Sequence, residues 1–158
     1  SQARIARTAA TLWEDRFPRH AADAEKASLK ALELDRGNPV AWSARAVTLT
    51  VAGDARKGLE AIDKALELDP KYEQAWMDRA AIASALGDNR LVFESLDKAI
   101  AVLEAEGMFY DFLRSRRIVL RASLYMQLNE VEKARADVRL ARQLNPWVEL
   151  SPDLEALL

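Results

Sequence analysis

The stretch Lys64-Ala65-Leu66-Glu67-Leu68-Asp69 decides the fold, because the chain has already spelled it once as Lys30-Ala31-Leu32-Glu33-Leu34-Asp35, 34 residues earlier. Lys98-Ala99-Ile100 carries the theme forward by the same 34. Trp42 and Trp76 keep that offset, each followed by Arg and Ala at the third and fourth positions on. Gly53-Asp54 and Gly87-Asp88 keep it too. A fourth copy ends in Ala141-Arg142-Gln143-Leu144-Asn145-Pro146, where Ala141 lies 42 residues beyond Ala99, so eight residues have been inserted. A period of this length marks stacked supersecondary units, none of which buries its apolar face alone.

Within one copy the pattern is helical. Ala61, Ile62, Ala65, Leu66 and Leu68 recur at three- to four-residue spacing, and Glu60, Asp63, Lys64 and Glu67 fill the gaps. Gly-Asp pairs end one helix and cap the next. Asp69-Pro70 and Asn145-Pro146 stop a helix, since Pro lacks an N–H and clashes with the turn before it. No sustained alternation signals a strand. The spacing predicts helices near 4–17, 21–35, 39–52, 55–68, 73–86, 89–106, 109–128 and 131–144. The expected fold is all-α: a right-handed superhelical solenoid of antiparallel helix pairs, one domain over 1–158. Its repeats fall at about 5–38, 39–72, 73–106 and 115–148, with the insertion at 107–114 and a tail at 149–158.

These residues resemble the tetratricopeptide repeat family, whose unit is two antiparallel helices of the same period. Trp42 and Trp76 fall at the family's first aromatic, and Ala46, Ala80 and Ala122 at its small crossing residue. Ala24, Gly58 and Ala134 match the small residue opening the second helix, where Val92 departs. Ile62, Leu96 and Val138 match the bulky apolar position, and Pro70 and Pro146 the closing proline. The resemblance reaches nearly to Pro146; the first copy carries it mainly through its second helix. It implies a binding scaffold whose first helices line a concave face. By that phase the inward residues are Trp13, Arg16 and Phe17, then Val40, Ser43, Val47 and Thr50. They continue as Gln74, Met77, Ala81 and Ser84, then Arg116, Val119, Ser123 and Met126. The carboxylate clamp of Lys, Asn and Arg found in some members is absent from these positions. The trough is small, weakly polar and apolar, and suits an extended peptide or an amphipathic helix.

Composition narrows the function classes. A net charge of −2 gives no electrostatic reason to expect nucleic acid. With no Cys there is no disulfide, thiolate metal site or Cys nucleophile. No apolar run approaches the ~20 residues that span a bilayer, so direct membrane insertion is not expected. His20, the one histidine, reads as a turn residue rather than a base. No phosphate-cradling or nucleophile-elbow motif appears, so neither catalysis nor a cofactor is expected. The Ala-, Arg- and Leu-rich usage points to a bacterial source, with cytoplasm and periplasm both open. Because Ser1 is not Met, the chain is expected to be processed, tagged or cut from something longer.

Three departures from the repeat carry the specific readings. Arg45, Arg79 and Arg121 form a ladder. They read as ion-pair partners of Asp63, Asp97 and Asp137, or else as a row of guanidiniums for anionic ligands. The insertion packs Phe109, Tyr110 and Phe112 into four positions. That is a secondary partner patch or the packing of lengthened helices. Residues 39–106 sum to −4 and 107–146 to +4. This reads as a solvated helix face, a basic end for an acidic partner, or the two ends of a head-to-tail homo-oligomer. In the tail, Ser151-Pro152 resembles a helix start with Leu154, Leu157 and Leu158 on one face. It reads as a cap, the first turn of a further repeat, or a segment for a neighbour's groove. The leading function is a protein-binding adaptor. The alternatives are a self-assembling structural scaffold and a regulatory or docking segment of a longer enzyme.

Overall fold

A computed structural model describes residues 21–158, and the expected helix at 4–17 lies outside them. The described residues form eight α-helices and one 3₁₀ turn and contain no strand. They are α1 (Ala21–Leu34), α2 (Pro39–Val51), α3 (Ala55–Leu68), α4 (Glu73–Ala85), α5 (Asn89–Glu106), α6 (Asp111–Gln127), α7 (Val131–Leu144) and α8 (Pro152–Glu155). The 3₁₀ turn, Met108–Tyr110, joins α5 to α6. Two compact units result, one ending at Ser95 and one running from Leu96 to Leu158.

The turn inside each helix pair repeats in backbone as well as in sequence. Gly53, Gly87 and Asn129 occupy one phase and take φ of +93°, +74° and +60°. Left-handed backbone is open to glycine and, with less strain, to asparagine. The next residue closes each turn: Asp54, Asp88 and Glu130 donate their N–H to the carbonyls of Leu49, Ala83 and Tyr125. Asp54 and Asp88 then cap the following helices through the N–H groups of Lys57 and Leu91. The turns between pairs repeat as well. Asp35, Asp69 and Asn145 accept from the N–H of Gly37, Lys71 and Trp147 with their side-chain oxygens.

In the first unit α2 and α3 form a hairpin, flanked by α1 and α4. Its core holds Ala46, Ala61, Ile62, Ala65, Leu66, Ala75 and Ile82, with Trp42 and Trp76 packed half-buried against it. Each indole N–H donates to the carbonyl six residues back, Arg36 and Pro70, so each Trp pins the turn that precedes its helix. Gly58 sits where α3 closely approaches α2: a Cβ there would collide with Thr50 Oγ1 and lie 2.9 Å from the Ala46 carbonyl oxygen.

In the second unit α6 and α7 form the hairpin. The insertion is shared between two helices. α5 has 18 residues where α3 has 14, and α6 has 17 where α4 has 13. Each gains about one turn, because Glu104 stands where Pro70 stops α3 and lets α5 run on to Glu106. The tail folds back on the hairpin. Leu154 and Leu157 bury against Ala122, Ala134 and Val138, while Leu158 stays exposed. Arg142 fastens the tail by donating to the Pro146 carbonyl and pairing with Glu155.

Candidate functional site

The arginine ladder is internally paired: Arg121 meets Asp137 as expected, while Arg45 and Arg79 take other partners. Arg79 Nε donates to Asp63 Oδ1 at 2.8 Å, and its Nη1 reaches Ser95 at 3.0 Å and Glu94 at 3.3 Å. Arg121 grips Asp137 with two hydrogen bonds of 2.8 and 2.7 Å and reaches Asp97 at 2.6 Å. Each arginine therefore faces two acceptor positions, one on the helix before it and one on the helix after. Those positions hold Asp63 and Ser95 around Arg79, and Asp97 and Asp137 around Arg121. Around Arg45 the same positions hold Leu29 and Ala61, so Arg45 turns to Glu25, one helical turn away, at 2.9 Å. The expected Arg45–Asp63 and Arg79–Asp97 pairings do not form, because Asp63 and Asp97 serve the arginine of the following copy. Hydrogen bonds to Asp137 hold the Arg121 guanidinium above its ordinary pKa.

The predicted inward residues have different fates in the two units. Trp13, Arg16 and Phe17 lie outside the described residues. On α2, Val40 is exposed and Val47 half-buried. Ser43 is buried and donates to Asp78 Oδ2 at 2.7 Å, and Thr50 donates to the Ala46 carbonyl of its own helix. On α4, Gln74 is exposed and donates to Asp78 Oδ1 at 2.9 Å, while Met77, Ala81 and Ser84 are half-buried. Burial raises the pKa of the neighbouring Tyr72 phenol, and the Asp78 charge adds to the rise.

In the second unit the predicted residues come together with others. Arg116, Val119 and Ser123, a stripe along α6, line a groove of about 510 Å³ with Phe112 and Leu120. The opposite wall is the turn and tail after α7: Asn145, Trp147, Val148 and Glu149. Trp147 is 88% exposed and Phe112 63%. The Arg116 guanidinium lies 6.0 Å from the centre of the Phe112 ring, in cation–π contact. Ser123 also borders a second recess with Met126, Gln127, Ser151, Asp153 and Leu154. Phe109 and Tyr110 are exposed on the 3₁₀ turn. Phe112 alone of that aromatic trio lines the groove.

The tail wall is what sequence phase did not reveal. Trp147 occupies the turn position held by Gly37 and Lys71 in earlier copies, and an indole there was the one available signal. Among the described residues no group of three or more His, Cys, Asp or Glu is placed to hold a metal ion, and no helix is long and apolar enough to cross a membrane. Comparison with protein-family models and with curated proteins finds no match to this chain.

Proposed function

We propose that this chain is a protein-interaction module of the tetratricopeptide kind, a helical-repeat solenoid that docks a partner segment in the α6–tail groove. The observation that carries the reading is the pair of exposed aromatics, Phe112 and Trp147, rimming an apolar floor of Val119 and Val148. Large aromatic side chains left in water beside a concave apolar surface are typical interface anchors. The repeat period, the recurring turns and the alanine-lined helix crossings support the family assignment.

Self-association through opposed charge blocks has weaker support. Of the basic residues behind the +4 of 107–146, Arg114, Arg121, Lys133, Arg135 and Arg142 already hold carboxylate partners within the unit. The test is selection of a random phage-displayed peptide library on the immobilised chain, with Trp147→Asp as counter-selection. The expected outcome is a set of peptides that bind the chain and fail on the variant. A library that yields no binder ends the reading.

A further inference from the structure

Resting on that reading, we infer that the groove selects an extended peptide carrying a side-chain carboxylate next to a large apolar residue. Arg116 sets the charge. The other arginines on α6 with nearby acids are already engaged: Arg114 with Glu104 at 2.6 Å, and Arg121 with Asp97 and Asp137. Arg116 is exposed, lines the groove, and has no carboxylate partner among the described residues; its guanidinium is in cation–π contact with the Phe112 ring. A cation–π contact uses no N–H hydrogen bond, so the guanidinium keeps donors spaced for a bidentate carboxylate.

Phe112 and Trp147 set the apolar requirement, since an aromatic or large aliphatic side chain entering beside Arg116 would cover both rings. The tail wall sets the backbone requirement. Val148 and Glu149 line the groove and belong to no helix, and the N–H of Glu149 donates to no acceptor among the described residues. A wall with an unspent backbone N–H favours a strand-like ligand over a helix, whose backbone is already satisfied. Glu149 puts a negative charge on that wall, so the ligand's carboxylate belongs at the α6 side and a basic or neutral residue opposite. The arrangement gives the bound peptide a direction.

The enriched library peptides, made as capped synthetic copies so that no terminal carboxylate is present, test this by fluorescence anisotropy against the full chain. The expected result is an Asp or Glu beside an aromatic or large aliphatic residue. Affinity should fall at least about tenfold on Arg116→Glu or on changing the acid to its amide. Changing the acid to Lys should restore binding to the Arg116→Glu variant. A single N-methyl group on the peptide backbone beside the anchor should also weaken binding. Unchanged thermal melting of Arg116→Glu shows that the exposed substitution leaves the fold intact. Peptides without an acid that lose affinity on Trp147→Ala but not on Arg116→Glu overturn this inference and leave the interaction reading standing. Peptides lost on Met77→Glu alone overturn it by moving the site to α4. Terminal-carboxylate forms binding where capped forms do not would overturn it in favour of chain-end capture.

Discussion

Replacing Arg121 with Met tests whether the arginine ladder is architecture. Met keeps much of the apolar stem and removes the guanidinium. Arg121 serves two carboxylates in different surroundings: the Asp137 side chain is 9% exposed, and that of Asp97 is 56% exposed. Unit charges about 4 Å apart attract by about 4 kcal/mol at an effective dielectric constant of about 20. In the intact protein, desolvation of both partners offsets much of that. After Arg121→Met the desolvation of Asp137 remains and the attraction is gone, so the expected loss is about 3–5 kcal/mol. Asp97→Asn removes only the exposed arm and should cost about 0–1 kcal/mol. Adding Asp137→Leu to Arg121→Met should recover most of the loss, because no carboxylate is then left stranded. Urea unfolding followed by far-UV circular dichroism reads the effect. With a slope of about 2 kcal/mol per molar, the midpoint for Arg121→Met falls by about 2 M. Equal small losses for Arg121→Met and Asp97→Asn would refute the structural role and return the guanidinium to the list of candidate ligand contacts.

Gly58→Ala drives a Cβ into Thr50 and the backbone of Ala46, so a loss of about 1–3 kcal/mol is expected in the same unfolding assay. Trp147→Ala should leave stability within about 0.5 kcal/mol, the usual range for an exposed position. Leu154→Ala, at a side chain 1% exposed, should cost about 2–5 kcal/mol. Similar losses for those two would mean that the tail packs otherwise than described. Burial raises the pKa of Tyr72 and Tyr125 above 10.0. The stability they contribute is therefore whole below pH 10 and lost as pH rises through their folded values. Phe at both positions should flatten the alkaline arm of a stability–pH profile, and an unchanged slope would remove the two phenols from the account.

Helix positions were legible because one packing problem is solved repeatedly along the chain. A 34-residue offset in Trp, Gly-Asp and Lys-Ala-Leu locates the pins, the left-handed turns and the buried stripes together. Asn129 shows how far that logic carries: it shares no identity with Gly53 or Gly87, yet takes their conformation because the turn demands it. Ion-pair partners were less legible, since an arginine's reach spans two neighbouring helices and period alone does not say which carboxylate it meets. Ser43 illustrates a second blind spot. Helical phase turns it inward, but Asp78, on the facing helix and 35 residues away, draws its hydroxyl into a buried hydrogen bond.

The groove was half legible for a related reason. Residues that follow the period are committed to stacking, since Ile62, Leu96 and Val138 must each fill a core and Ala46, Ala80 and Ala122 must each let helices approach. Positions outside that obligation can carry something else. The extra turn at the start of α6 lifts Phe112 away from the repeated core, and the Trp at 147 replaces a turn residue that elsewhere is Gly or Lys. Loss of the repeat after Val148 then leaves a non-helical wall where an equivalent helix would begin at Glu149, the counterpart of Glu73. Phase analysis finds Arg116, Val119 and Ser123 because they lie on a regular helix. It passes over Trp147 and Glu149 because they lie where regularity stops. Candidate ligand contacts are best sought at those breaks, where an exposed aromatic such as Trp147 has no part in the repeated core.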